Sequence, residues 1–152
     1  GDYNRLVSID TLSVAWGCAA ANLAMAYSNE EIITVLNKVK FRHNVSTFAQ
    51  KYAIDVLSDP FEISKQVSVV RLERQRLMDA VAILPCCVKV FDSDANFFLA
   101  QMTDADKVYS YLVKKGVLVT NCNGVALCEN CLRITVGTKN ENNELLAALR
   151  QY

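Results

Sequence analysis

Leu127-Cys128-Glu129-Asn130-Cys131-Leu132-Arg133-Ile134-Thr135-Val136-Gly137-Thr138 is the stretch whose reading decides the fold. Leu132 to Val136 carries β-branched and aliphatic residues in a short run bounded by polar and glycine positions, which predicts a strand. Downstream, Asn140 to Gln151 repeats leucine at helical spacing, with Leu145, Leu146 and Leu149 on one side. Upstream, Thr103-Asp104-Ala105-Asp106 predicts a capped helix that runs to Lys115 and closes at Gly116, followed by a strand over Val117 to Thr120. Cys87 to Phe91 and Asn96 to Met102 read as two further strands. The C-terminal two-thirds is therefore expected to be an α+β unit, two layers with helices packed on a small, mainly antiparallel sheet.

Nearer the N-terminus, Leu6-Val7-Ser8-Ile9 predicts a buried strand. Ser28-Asn29-Glu30-Glu31 combines a capping side chain with first-turn acids, so a helix follows through Ile32, Ile33, Val35, Leu36 and Val39. Asn44 or Ser46 caps the next helix, whose apolar side is marked by Phe48, Tyr52, Ile54, Val56 and Leu57. Ser58-Asp59-Pro60 ends it and opens a long helix from Phe61 to Ala82. Alternating charge over Arg71 to Arg76 predicts a solvent-facing stretch there.

At 152 residues, 52% hydrophobic and 21% charged, the chain can bury one substantial core, and one compact unit is the default. Lys plus Arg and Asp plus Glu each total 16, which leaves no electrostatic footprint for nucleic acid or an anionic membrane. No apolar run approaches the roughly 20 residues needed to span a bilayer. The chain opens on Gly1, read as a processed or cut terminus, with no basic region and apolar stretch that would mark a secretory signal. Six cysteines in that setting predict reduced thiols and a cytoplasmic location.

Three series lie in a specific order: Ser93-Asp94-Ala95-Asn96-Phe97-Phe98, Gly116-Val117-Leu118-Val119, and the Leu127 to Thr138 stretch. With Thr11-Leu12-Ser13-Val14-Ala15-Trp16-Gly17 they make the chain resemble histidinol-phosphate aminotransferase, a pyridoxal-phosphate enzyme, along almost its whole length. The resemblance implies that residues 1–43 correspond to the last piece of the family's large domain, with a second strand around Asn22 to Tyr27. Residues 44–152 then correspond to its small domain. Everything upstream in the family, including the ring-stacking aromatic and the Asp that pairs with the pyridine nitrogen, would lie outside this sequence.

Val14 stands where the resemblance places the Schiff-base lysine. An aliphatic side chain can neither hold an aldehyde cofactor covalently nor shuttle a proton, so no catalytic residue is assigned. Thr11 and Ser13 keep the flanking hydroxyls that contact the cofactor phosphate in the family. Asn22 replaces the phosphate-binding arginine, removing a bidentate partner, and Ala24 replaces a glycine. Arg133 matches the arginine that grips the substrate α-carboxylate, and Asn96 belongs to the motif that braces the small domain beside it. Without the rest of a site, Arg133 is expected to be a strand-end residue paired to a carboxylate or solvated. Val119-Thr120-Asn121-Cys122 and Phe41-Arg42-His43-Asn44 depart from the family's arginine-rich and Pro-Tyr-Asn patterns, which touch ligand and dimer contacts.

Cys128-Glu129-Asn130-Cys131 has C-x-x-C spacing, but no second pair or histidine pair completes a zinc set, so packing thiols are expected and no metal. His43 is the only histidine, which removes a Ser-His-Asp triad. Asp92 and Asp94 are expected to cap backbone amides, and Trp16 to pack.

The paired loss of amine and guanidinium reads as deliberate. It predicts a non-catalytic, engineered domain with no cofactor and a structural role. Replacing lysine and arginine at buried sites would avoid a cost of several kcal/mol for each uncompensated charge. The alternative is one half of a split or degenerate aminotransferase that needs a partner for the large domain. The two N-terminal strands have edges to satisfy, through each other, the small-domain helices, or a homodimer.

Overall fold

The computed structural model describes residues 5–14 and 16–152, so the reading of Gly1 and the exchange context at Ala15 lie outside the described residues. The chain divides into two compact units, Gly1–Lys65 and Gln66–Tyr152. One compact unit was expected, and the division by contacts falls within the long helix rather than at residues 43 and 44.

In the first unit, β1 (Ser8–Thr11) and β2 (Ala24–Tyr27) pair antiparallel, Ser8 opposite Tyr27 and Thr11 opposite Ala24. Of the possible partners for these strands, each takes the other. β1 begins later than Leu6-Val7 suggested, and it is not buried: all its residues are exposed, Ile9 by 68%. Helix α1 (Glu30–Val39) starts where the sequence placed it, with the Asn29 side chain accepting from the Ile32 amide at 2.9 Å. Helix α2 (Thr47–Leu57) is capped by Ser46, which accepts from the Ala49 amide at 3.1 Å. Its apolar side is a correction. Phe48, Tyr52, Ile54 and Leu57 are exposed, and the buried residue of α2 is the small Ala53.

Ala53 joins Leu12 and Cys18, the other buried residues among those described in this unit, and Trp16, Ala21, Leu23 and Val56 pack around them. Trp16 is thus a packing residue, as expected. A core this small stabilises only the loop it surrounds.

Helix α3 (Pro60–Ala82) opens with proline at its first position, and the Asp59 side chain accepts from the Glu62 amide. The second unit contains its later turns and a four-stranded antiparallel sheet of order β3-β4-β6-β5. The strands are β3 (Cys87–Val90), β4 (Phe97–Met102), β5 (Thr120–Asn121) and β6 (Cys131–Thr135). β5 is shorter than the Val117 to Thr120 strand expected from its apolar run. Val117 to Val119 instead lead out of a helix end: α4 (Ala105–Lys114) closes with Gly116 at φ +78°. There the Gly116 amide donates to Val113 and the Val117 amide to Leu112, the paired bonds of a Schellman cap.

Alternation along β4 buries Phe98, Ala100 and Met102, and across the ladder Leu132 and Ile134 of β6 oppose Ala100 and Phe98. That face meets Val108 and Leu112 of α4, Leu145, Leu146 and Leu149 of α5 (Lys139–Arg150), and Leu77 and Val81 of α3. The result is the expected α+β unit of helices over an antiparallel sheet.

The charged stretch of α3 is not wholly solvent-facing. The Glu73 and Arg74 side chains are only 15% and 12% exposed. Arg74 donates through Nη1 to the Ala95 carbonyl at 2.6 Å, while Glu73 accepts from Arg76 and from Asn142.

Candidate functional site

The residues singled out from the sequence fall into two groups, one in each unit. In the first, β1 ends at Thr11 and the chain turns sharply. The Ser13 amide donates to the Thr11 hydroxyl at 2.9 Å, and the Gly17 amide to the Val14 carbonyl at 3.2 Å. Gly17 sits at φ +64°, where glycine carries no Cβ penalty. The Cys18 amide returns to the Leu12 carbonyl at 2.9 Å, so the loop is closed at its base by the two residues it buries.

Leu12 also donates to Leu23 at 3.3 Å, which draws the segment holding Asn22 to the same loop. Asn22 takes the left-handed conformation, φ 49° and ψ 49°, at the end of a 3-10 turn over Ala19–Ala21, and its amide donates to the Ala19 carbonyl. Asparagine is among the few non-glycine residues that adopt this conformation readily. The structure therefore gives Asn22 a local backbone role.

Thr11, Ser13 and Val14 are brought together in one turn, whose donor set lacks the amine and the guanidinium that the resemblance associates with pyridoxal phosphate. Val14 is aliphatic and 66% exposed, the Thr11 hydroxyl accepts from the Ser13 amide and keeps its own hydrogen to donate, and Asn22 supplies no guanidinium. The desolvation argument for the two exchanges is also corrected. Both positions are exposed, so a lysine or arginine there would keep its hydration in this chain.

In the second unit, Arg133 lies mid-strand in β6, opposite Leu99, on the sheet face away from Leu132 and Ile134. Its guanidinium stacks on the ring of Phe97 at 4.0 Å. Phe97 pairs with Thr135, two positions along, so this is a diagonal cross-strand contact. The Arg133 Nε is buried and finds no hydrogen-bond acceptor among the described residues. The side chain has no carboxylate in ion-pair range among the described residues, and it is half-buried with Nε enclosed. A planar donor fork without a carboxylate partner can take an external one through its outer nitrogens.

Asn96 precedes β4 with its side chain exposed, and its carbonyl accepts from the Val136 amide at 2.9 Å, extending the β4–β6 ladder beside Arg133. The turn before it is organised by Ser93, not by the aspartates. The Ser93 hydroxyl accepts from the Ala95 amide and donates to the Phe97 carbonyl. Sequence reasoning missed the Phe97 stack and the Ser93 turn. The period-two alternation of both strands, read together in register, would have found the first.

Among the described residues no group of three His, Cys, Asp or Glu side chains is placed to hold a metal. Among the described residues no helix is long and apolar enough to cross a membrane. All six cysteines are free thiols, and burial pushes the Cys86 and Cys131 thiols upward from their ordinary value.

The fold and this loop have close counterparts. The family model for aminotransferase class I and II matches residues 1–149. Histidinol-phosphate aminotransferase of Bacteroides thetaiotaomicron is 48% identical over 150 residues, which is 99% of this chain and 43% of that protein. The chain thus spans less than half the length of the curated relatives it matches. The crystal structure of histidinol-phosphate aminotransferase from Clostridium acetobutylicum superposes with a TM-score of 0.90 at 22% identity, over 99% of this chain and 46% of that one. L-threonine-O-3-phosphate decarboxylase from Porphyromonas gingivalis gives 0.84 at 19% identity, over 99% and 47%. These two likenesses concern the fold alone, and the two enzymes are named for different reactions. With the family model covering nearly every residue, the chain belongs to the class I and II aminotransferase family.

Proposed function

We propose that the chain is a non-catalytic, engineered derivative of a histidinol-phosphate aminotransferase, a folded unit with a structural role that carries out no amino transfer by itself. Val14 is the observation that carries this reading. Transamination needs a primary amine to capture the cofactor aldehyde and to move the proton, and the turn that holds Thr11 and Ser13 offers an exposed isopropyl group instead. Both cofactor-directed positions, 14 and 22, are altered while the flanking Thr11-Leu12-Ser13 and Trp16-Gly17 are kept, which supports deliberate exchange.

The test is to mix the chain with pyridoxal phosphate, reduce with borohydride and map any adduct. No yellow internal aldimine is expected, and reduction should fix no single stoichiometric label on any lysine. A stoichiometric yellow complex whose reduction leaves the label on one lysine, or transamination of histidinol phosphate with 2-oxoglutarate, overturns the reading.

What ligand chemistry remains is carboxylate recognition by Arg133, supported by a guanidinium that has no carboxylate partner among the described residues. Thr11, Ser13 and Asn96 are then vestigial contacts of the parent site.

A second reading is favoured by the surface of the first unit. Ile9, Val39, Phe41, Phe48 and Phe61 are large, apolar and exposed, and among the described residues no third strand pairs with either edge of the β1–β2 pair. These features suit a partner, either a second copy that pairs along a strand edge or a polypeptide supplying the large domain in a split enzyme. Mass in solution distinguishes them. A dimer returned to monomer by Ile9→Lys supports the homodimer, and a monomer at all concentrations rejects it.

A further inference from the structure

We infer that Cys128 and Cys131 are a reversible dithiol pair, a modification site that closes to a disulfide by exchange with a low-molecular-weight disulfide such as oxidised glutathione. The inference does not rest on the functional reading above. Its basis is the turn that joins β5 to β6. The Cys131 amide donates to the Cys128 carbonyl at 3.0 Å, with Asn130 at φ 56°, so the four residues from Cys128 to Cys131 form a hydrogen-bonded β-turn. Such a turn keeps its first and fourth Cα within about 7 Å. Disulfides span Cα separations of about 4.4–6.8 Å. The backbone is therefore already in the range that bond formation requires.

Burial sets the order of events. Cys128 is half-buried and reachable, whereas Cys131 is almost fully buried. The Cys131 thiol is pushed upward first by that burial and then by Cys128 and Cys122, which places these sulfurs in one electrostatic neighbourhood. The Cys128 thiolate attacks one sulfur of the small disulfide, forming a mixed disulfide and expelling one thiolate. Cys131 then gives up its proton and attacks the Cys128 sulfur, expelling the second. Two protein thiols are oxidised, one small disulfide becomes two small thiols, and those thiols carry away the protons.

Cys122 is the rival partner. Its amide donates to the Cys131 carbonyl at 2.9 Å, continuing the β5–β6 ladder one position past Asn121 and Leu132. A hydrogen-bonded cross-strand pair stands about 5.5 Å apart at Cα, which is also within the disulfide range, so the Cys122→Ser and Cys128→Ser variants are what separate the two partners. The turn also matters to its surroundings. The Asn130 side chain accepts from the Ala105 amide at the start of α4, and its carbonyl from Met102. A closed disulfide would fix that anchor three residues from Arg133.

The experiment equilibrates the chain in glutathione buffers from reducing to oxidising, blocks remaining thiols by alkylation, and cleaves after Glu129, which lies between the two cysteines. In oxidising buffer the fragments are expected to stay joined until reduced, in the wild type and in Cys122→Ser alike, and to separate in Cys128→Ser. Cys128 is not a core residue, so its variant keeps the fold. Thiols that all remain alkylatable in the oxidising buffer overturn the inference. So does a join that persists in Cys128→Ser and disappears in Cys122→Ser.

Discussion

The Arg133 guanidinium lies 4.0 Å from the centre of the Phe97 ring, and its Nε is buried without an acceptor among the described residues. The two halves of that relationship pull in opposite directions. A cation over an aromatic face stabilises by about 0.5–1 kcal/mol when exposed and more when desolvated. An unsatisfied buried donor costs about 1–3 kcal/mol. Arg133→Met keeps the length and removes both, so stability is expected to be unchanged or higher by about 1 kcal/mol. Binding of a small carboxylate, followed by chemical shifts of β6, is expected to weaken about tenfold or more, the loss for a hydrogen bond to a charged group. A marked drop in the melting temperature, with carboxylate binding unchanged, would show that Arg133 only packs.

Val14 is 66% exposed on the loop after β1. Val14→Lys restores the residue that the family resemblance expects there, and at an exposed site its ammonium stays hydrated. The change in unfolding free energy is expected to lie within about 0.5 kcal/mol, as for surface substitutions away from special features. Chemical denaturation with unchanged slope checks it. A loss of several kcal/mol would mean that position 14 is covered in solution, which is the signature of the partner that the second functional reading invokes.

Helix caps and core periodicity were legible because they are local. Asn29, Ser46 and Asp104 cap where the sequence placed them, and Leu145, Leu146 and Leu149 face the core as their spacing required. The fold class followed from the order of these elements together with the motif series. What was not legible depended on partners distant in sequence. Phe48 and Ile54 have the pattern of a buried helix side, yet no described residue of their unit covers them, since pattern encodes a preference for burial and not its occupant. Glu73 and Arg74 looked like solvated charge until Asn142 and Ala95 arrived from elsewhere in the chain. Position 14 could be identified from the sequence, but its exposure could not, and that exposure removes the buried-charge rationale for its exchange.

Gly116 closes α4 at φ +78°, and a Cβ built there meets nothing within 4 Å. Steric crowding is thus absent and only backbone strain remains. Gly116→Ala is expected to destabilise by about 1–2 kcal/mol, the cost of left-handed backbone for a residue with a Cβ. Gly116→Asn should recover part of it, because asparagine tolerates that region. Equal losses for alanine and asparagine would point to a different cause.

Asn142, buried at the first turns of α5, donates through Nδ2 to Glu73 at 3.0 Å and to the Gly137 carbonyl at 2.9 Å, while its Oδ1 accepts from the Gly137 amide at 2.9 Å. Glu73 also accepts from Arg76 Nη2 at 2.8 Å. These bonds, Arg76 first and Asn142 second, hold the Glu73 carboxyl below its ordinary range. Because the folded value is depressed, the unfolded chain takes up the proton more readily. The stabilisation is therefore complete above the ordinary glutamate value of about 4.3 and is lost as pH falls through the lower folded value. Glu73→Gln removes the charge and keeps the shape. Near neutral pH it should be less stable than the wild type by about 1 kcal/mol, the net worth of a hydrogen bond with solvent screening at Arg76. Convergence is complete only below the depressed folded value, where the wild-type carboxyl is neutral as well. Other carboxylates titrate in the same interval, so the difference between the two curves is what isolates Glu73. A gap that stays constant from pH 7 to pH 3 would assign the loss to packing around Asn142 rather than to charge.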